Sequence, residues 1–216
     1  MLLDKDIREP LFDFLEERFG KIRIIEEKNM GRSRADVVMV TDDAVWGIEI
    51  KSDADSYTRL ERQVKDYDRF FDRNLVVVGS THALHVSEHV PDWWGILSVE
   101  EEEGEDGADF YLVRESAVNP KLELRNKLSL LWRPELKHIQ EINEMPAYKQ
   151  KSKEFVIGKI AERFEGTKED RRRLDQQISF ELFERDYTAI HDLINEYRVA
   201  QGQPKRRRKR WRRRRS

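Results

Sequence analysis

Two acidic residues and a lysine stand at positions from which their side chains can act on one small group. Asp36 lies in one apolar run and Glu49 and Lys51 at the end of the next, and the polar residues 41–44 separate the two runs. This pattern predicts an antiparallel β-hairpin. Two carboxylates with an amine beside them can bind a hard divalent cation and act on a water molecule.

The short turn fixes which residues of the hairpin face each other. Pairing the two residues that flank the turn places Asp36 opposite Glu49, with their Cβ atoms about 4.5–5.5 Å apart, and Arg34 opposite Lys51. A slip of one residue would bury these charges, so the apolar opposite face fixes the register. That face comprises Ala35, Val37, Met39, Trp46, Ile48 and Ile50.

Carboxylates held this close repel each other and raise each other's pKa unless a cation lies between them. The hairpin therefore predicts a site for Mg²⁺ or Mn²⁺ with Asp36 and Glu49 as ligands. Lys51 would orient or deprotonate the attacking water and balance charge on a scissile phosphate. Glu-x-Lys also occurs at 26–28 and 135–137, but only the triplet that starts at Glu49 lies on an apolar strand facing an aspartate.

The rest of the chain predicts the elements that position this hairpin. A helix and a meander of three strands are followed by a helix, a buried strand, a short helix and two more strands, which indicates an α/β sandwich with one mixed sheet. Beyond Pro120 helix formers dominate. We predict helices at 6–19, 56–71, 83–88, 122–132, 151–164 and 168–197, and strands at 22–26, 35–40, 45–50, 75–78, 95–99 and 110–113.

These elements predict an α/β domain over residues 1–118, a helical region over 119–201 and a disordered basic tail over 202–216. Residues 205–215 contain 10 basic residues and no acidic one, and without them the formal net charge falls from −2 to −12. The tail predicts contacts with nucleic-acid phosphates, although it can instead fold back on the acidic body. Its candidate contact residues are Arg206, Arg207, Arg208, Arg210, Arg212 and Arg213.

The absence of cysteine excludes disulfides and thiolate chemistry. With no apolar run long enough to cross a bilayer, we expect a cytoplasmic protein without membrane contact. His82, His85 and His89 have no matching carboxylate or cysteine and give little support for zinc. Trp93 and Trp94 favour packing over base stacking.

Asp36 and the triplet Glu49-Ile50-Lys51 resemble the motif of the PD-(D/E)XK nuclease superfamily. The resemblance implies a restriction-endonuclease-like αβββαβ core with a mixed central sheet, followed here by an α-helical region and the basic tail. It also implies that the backbone carbonyl of Ile50 joins the metal ligands. Ala35 stands where the superfamily commonly has a proline, which is a departure from the motif.

Residues from about 5 to 135 are similar to a family of small bacterial and phage PD-(D/E)XK-like proteins of largely unassigned function. The motifs that carry this similarity are Arg34-Ala35-Asp36, Glu49-Ile50-Lys51-Ser52-Asp53-Ala54-Asp55, Arg59-Leu60, Gln63, Pro91-Asp92-Trp93-Trp94-Gly95 and Leu131-Trp132-Arg133.

Gln63 and Tyr67 resemble the Gln-x-x-x-Tyr element of exonuclease-like members of the superfamily and share one helix face. The resemblance implies that this face, with Arg59 and Arg34, holds substrate phosphates, and that Gln63 belongs to the catalytic group. Simple packing on the helix surface is the alternative. The superfamily's further acidic ligand corresponds to Glu9, Glu26 or Glu27, of which Glu27 matches best, with surface exposure as the alternative.

The first functional hypothesis is a metal-dependent nuclease acting on DNA. The alternative is a catalytically inactive protein of nuclease fold that binds nucleic acid or regulates through its basic tail, and a third possibility is a factor that acts through a protein partner. The sequence leaves open DNA versus RNA, the polarity of cleavage and the oligomeric state.

Overall fold

The computed structural model describes residues 2–101, 108–185 and 199 and has a mixed α/β fold. The predicted tail and residues 186–197 of the predicted helix 168–197 lie outside the described residues. The helices are α1 (Asp4–Phe19), α2 (Leu60–Phe70), α3 (Ser80–Ala83), α4 (Leu124–Ser129), α5 (Arg133–Ile142), α6 (Lys153–Arg163) and α7 (Lys168–Glu184). The strands are β1 (Arg23–Met30), β2 (Ser33–Val40), β3 (Val45–Lys51), β4 (Arg73–Gly79), β5 (Gly95–Glu101) and β6 (Ala108–Arg114).

The six strands form one sheet in which the spatial order follows the sequence order. β1, β2 and β3 are antiparallel, β3 to β5 run parallel, and β6 returns antiparallel to β5. The predicted mixed sheet is therefore confirmed. Apolar side chains of α1 pack on one face, and those of α2 with the C-terminal helices pack on the other.

The largest difference from the predicted elements is at the first hairpin. β1 continues to Met30 and β2 begins at Ser33, whereas the sequence predicts a strand that ends at residue 26 followed by an open connection. The polar run after Ile25 hides the strand because β1 lies at the edge of the sheet, where only some of its side chains are buried.

The helical region also differs from the prediction. The predicted helix 122–132 is only the short α4, and α5 starts directly after Trp132 with Pro134 in its first turn, where a missing N–H is tolerated. Helices α4 to α7 pack on the same apolar core as α2, and the division of the chain near residue 118 stays a prediction. None of the described helices is both long and apolar enough to cross a membrane.

Gly47 in β3 lets α2 lie directly on the sheet. A Cβ atom at this position would lie 2.2 Å from Cδ2 of Phe71 and 2.6 Å from Cδ1 of Tyr67. Both rings are fully buried. The missing side chain therefore allows Tyr67 to reach the strand that carries Glu49 and Lys51.

We predict that Gly47→Ala destabilises the protein by about 1–3 kcal/mol, because the added methyl group overpacks a rigid contact between two rings and a strand. Urea unfolding measures the change. Gly158→Ala is the matched control, since a Cβ there lies 3.8 Å from its nearest neighbours, in Arg125, within helix α6. The control should stabilise by about 0.5–1 kcal/mol, and an equal loss in both variants would contradict the prediction.

Candidate active site

Most of the predicted site residues line one pocket of about 470 Å³, to which α1, the β1–β2 hairpin, β3 and the beginning of α2 contribute. Tyr67 lies buried beneath this pocket, and the tail arginines 206–213 lie outside the described residues. The predicted residues that line the pocket are Glu27, Arg34, Asp36, Glu49, Ile50, Lys51, Arg59 and Gln63.

The predicted hairpin register is confirmed only in part. β2 pairs with β3 from Val40–Val45 to Val37–Ile48, and the ladder ends there. The predicted pairs of Asp36 with Glu49 and of Arg34 with Lys51 are therefore absent from this ladder. Instead the Asp36 carboxylate accepts the N–H of Ile50 at 3.0 Å.

The apolar face of the hairpin is as predicted with one exception. Its residues pack with α1, but Ala35 joins the core on the α2 side. The position lies next to Asp36, where the ladder between β2 and β3 has ended. The residues that keep the predicted face are Val37, Met39, Trp46, Ile48 and Ile50.

The hydroxyl group of Tyr67 occupies the place where β2 and β3 separate. It accepts the N–H of Asp36 at 3.3 Å and lies 3.1 Å from the Ile48 carbonyl and 2.7 Å from Oε2 of Glu49, to either of which it can donate. Tyr67 is fully buried, so the prediction that it contacts nucleic acid is wrong. Its position instead indicates that it holds the two acidic residues in place.

Glu49 and Lys51 form a buried ion pair in the floor of the pocket. Lys51 Nζ lies 2.7 Å from Oε1 of Glu49, and the two side chains are 5% and 1% exposed. The Gln63 amide bridges them, since its Nε2 donates to Oε1 of Glu49 and its Oε1 accepts from Lys51 at 3.2 Å. Both carboxylate oxygens of Glu49 are thus engaged, Oε1 by Lys51 and Gln63 and Oε2 by Tyr67, and Oε2 retains a second acceptor site for a cation.

Asp36 is less well compensated than Glu49. Burial and the nearby charge of Glu49 raise the pKa of Asp36 to about 7, against the opposing effects of the Ile50 N–H, Arg8 and Lys51. The electrostatic coupling of the two acids is the effect that the sequence predicts for carboxylates that share a site.

Arg8 on α1 is a site residue that the sequence analysis missed. Its Nη1 donates to the Asp36 carbonyl at 3.3 Å, and its Nη2 lies 3.8 Å from the Asp36 carboxylate. The Asp4 carboxylate orients the guanidinium by accepting a hydrogen bond from its Nε at 2.6 Å. The helical periodicity marks the apolar face of α1, but it does not indicate which polar residue of the helix reaches β2.

The donor set suits Mg²⁺, which commonly takes one or two carboxylates and completes its shell with water or phosphate oxygens. Asp36, Glu49 and Ile50 line one pocket. The raised pKa of Asp36 means that its negative charge is poorly stabilised, and a bound cation would stabilise it. In the part of the chain that the structure describes, no three His, Cys, Asp or Glu side chains form a metal-binding group. Glu27 also lines the pocket, with its Oε2 3.5 Å from Nη1 of Arg34, and its role as a further metal ligand stays a prediction.

Trp93 and Trp94 pack as predicted, and their indoles have a shared partner. Both Nε1 groups donate to Oδ1 of Asp68, at 3.1 and 2.8 Å, and the Asn74 amide donates to the same atom at 3.3 Å. Asp68 itself is 3% exposed. The two tryptophans therefore fix α2 against the centre of the sheet.

The fold and the site together define a class of protein: a mixed α/β protein with two carboxylates and a lysine in one pocket. Residues 2–197 match the family model described as bacteriophage P4 protein cII, and the chain belongs to this family. No curated protein matches the chain.

One solved structure with a detectable match is that of Pyrococcus furiosus SfsA in complex with Ca²⁺. It is 17% identical, with a TM-score of 0.31, and the match covers 52% of this chain and 60% of the SfsA chain. The resemblance to the PD-(D/E)XK superfamily stays a prediction.

We predict that Tyr67→Phe lowers the free energy of unfolding by about 1–3 kcal/mol, because it leaves the Asp36 N–H and an oxygen of Glu49 without their partner while the ring still packs. Chemical denaturation measures the loss, and Tyr148→Phe, outside the pocket, is the control. In a double variant with Glu49→Gln the two losses should not be additive. Additive losses would show that the hydroxyl does not act on Glu49.

We predict that acid stabilises the chelator-treated protein through Asp36. Its pKa is about 7 in the folded state and 3.8 as the ordinary value, so the folded protein binds the extra proton within this interval. The stabilisation is complete below about pH 4 and is lost as the pH rises through 7. Asp36→Asn should therefore be more stable than wild type at pH 8, by roughly 2–4 kcal/mol.

Urea unfolding of both proteins in EDTA at pH 5 and pH 8 measures this effect, and the difference between variant and wild type cancels the other titrating groups. The advantage of Asp36→Asn should shrink at pH 5. A constant difference at the two pH values would contradict the raised pKa of Asp36.

Proposed function

We propose that the protein is a metal-dependent nuclease that hydrolyses phosphodiester bonds in DNA. The observation that carries this proposal is the meeting of Asp36, Glu49 and Lys51 in one pocket, with the lysine and one carboxylate paired in its floor. These residue types match the chemistry of phosphodiester hydrolysis, which needs a positioned water molecule and stabilisation of developing negative charge.

Asp36, Glu49 and the Ile50 carbonyl are the groups that would hold Mg²⁺ or Mn²⁺. A bound ion of this kind supplies a Lewis acid for a phosphate oxygen and lowers the pKa of a coordinated water molecule. Asp36 would bind the ion through its ionised carboxylate, so the pH must be high enough for Asp36 to lose its proton. The Arg8 guanidinium contacts the backbone and the side chain of Asp36 and so positions this ligand from α1.

Lys51 is the residue that would act on the water molecule and the phosphate. Its ammonium group is held by Glu49 and Gln63, so its charge has a fixed place in the pocket. There it would hydrogen-bond the attacking water and stabilise the negative charge on the phosphate as the water oxygen bonds to phosphorus and the ester P–O bond breaks. Gln63 contacts both members of the pair and acts as a positioning residue.

A second candidate function is nucleic-acid binding or regulation without catalysis. It is favoured by the self-contained contacts of Glu49, whose two oxygens are engaged by Lys51, Gln63 and Tyr67. In this case the basic tail would carry the binding. Binding that is lost on deletion of residues 205–216 and unchanged in Asp36→Asn would support it.

We predict that the protein cleaves nucleic acid with Mg²⁺ or Mn²⁺ and that Lys51→Ala lowers the rate at least about 100-fold, because a preorganised charge at the reacting phosphate is lost. The assay compares single-stranded, duplex and branched DNA and RNA, with EDTA as the metal-free reference. Lys65→Ala is the matched control, since Lys65 lies on the exposed side of α2 and pairs with Glu61.

Isothermal titration with Mn²⁺ gives a second readout that does not depend on cleavage. Glu49→Gln and Asp36→Asn should each weaken Mn²⁺ binding, whereas Lys65→Ala should leave it unchanged. Wild-type protein that cleaves none of these substrates with either metal would reject the proposed activity. Equal rates for Lys51→Ala and wild type would reject the role assigned to the lysine.

A further inference from the structure

Four arginines stand on the two sides of the pocket. Arg32 and Arg34 lie on the hairpin between β1 and β2, and Arg59 and Arg62 lie at the beginning of α2. All four are exposed, whereas the acidic and lysine side chains of the floor are buried or half-buried. The pocket therefore has a basic rim above a floor in which acids dominate.

Three of these arginines are available to an incoming anion. Within residues 2–101, 108–185 and 199, no carboxylate forms an ion pair with Arg32, Arg59 or Arg62. Arg34 has a partner in Glu27, at 3.5 Å, but both side chains of this pair are about half exposed. Exposed pairs of this kind are weak and exchange readily for a phosphate.

One hydrogen bond ties the two sides of the rim to each other. The Asp66 side chain on α2 accepts the backbone N–H of Arg32 at 3.2 Å. Gly31 makes this possible, because its φ of +52° suits glycine and a Cβ there would lie 2.8 Å from Oδ1 of Asp66. The tip of the hairpin is thus tied to the helix that carries Arg59 and Arg62.

The depth of the floor limits what can reach it. The Glu49 and Lys51 side chains are 1% and 5% exposed, so a phosphate must enter the pocket to come near them. The volume of about 470 Å³ is that of a small-molecule site and accommodates a short piece of one strand rather than both strands of a duplex. No aromatic residue is found among the described residues of the lining, so stacking on bases has no platform there.

We propose that Arg32, Arg34, Arg59 and Arg62 form a two-sided clamp for the phosphates of a single nucleic-acid strand. The clamp rests on the proposed function, because it leads the strand to the carboxylates of that site. It makes unpaired strands the substrate class, and it binds them without sequence preference because phosphates carry no base information.

The test measures binding of a labelled oligonucleotide of about 12 nucleotides, single-stranded or as a duplex, to the full chain in EDTA by fluorescence anisotropy. For Arg32→Ala/Arg62→Ala we expect single-strand affinity to fall about tenfold or more while duplex affinity changes less than about twofold. The slope of log affinity against log salt for the single strand should fall by about 0.7 for each arginine. Arg59→Ala, next to Arg62 at the beginning of α2, should act in the same direction.

Arg212→Ala/Arg213→Ala removes the same charge from the tail and is the matched control. It should weaken single-strand and duplex binding equally. The clamp is overturned if the rim variant also weakens both equally, or if it leaves single-strand binding intact. Circular dichroism checks the fold of each variant.

Because the measurement needs no metal and no cleavage, failure of the clamp and failure of the nuclease are separable. Selective loss of single-strand binding in a protein that cleaves nothing supports the clamp and rejects the nuclease. Lys51-dependent cleavage with an unaffected rim variant rejects the clamp alone.

Discussion

The hydroxyl group of Tyr67 separates the two strands that carry the acidic residues. It accepts a hydrogen bond from the N–H of Asp36 and lies within hydrogen-bonding distance of the Ile48 carbonyl. Both are main-chain groups at the point where the ladder between β2 and β3 ends. Beyond this point the Asp36 carboxylate is free to turn toward the pocket and to accept the N–H of Ile50. The pocket exists because side-chain contacts of Tyr67 and Asp36 replace the main-chain ladder between β2 and β3 at this point. Gly47 provides the space that the Tyr67 ring requires.

Charge balance within the pocket follows from this geometry. Glu49 is in direct contact with Lys51 and with two neutral donors, whereas the burial of Asp36 is offset by one backbone N–H and by the more distant charges of Arg8 and Lys51. Similar acids on neighbouring strands thus have different environments. The less compensated carboxylate is also the more accessible of the two, since the side chain of Asp36 is 19% exposed.

Local periodicity predicted the parts of the structure that depend on neighbouring residues. The mixed sheet and the register near the turn follow from alternation of apolar and polar residues, which sequence displays directly. The contact of Arg8 with Asp36 joins residues 28 positions apart, and no spacing rule encodes it. Glu27 has a φ of +53° and pairs with Arg34, a contact that its position in the motif does not indicate. Burial of Tyr67 likewise depends on the missing side chain of Gly47.

Three consecutive residues of α2 reach three different parts of the protein. Asp66 holds the tip of the first hairpin, Tyr67 holds the acidic residues, and Asp68 holds both tryptophans. Because successive residues of a helix point about 100° apart, no rolling of the helix about its axis preserves all three. The helix is therefore held against rotation about its axis, and a displacement of α2 that keeps one of these contacts must strain the other two.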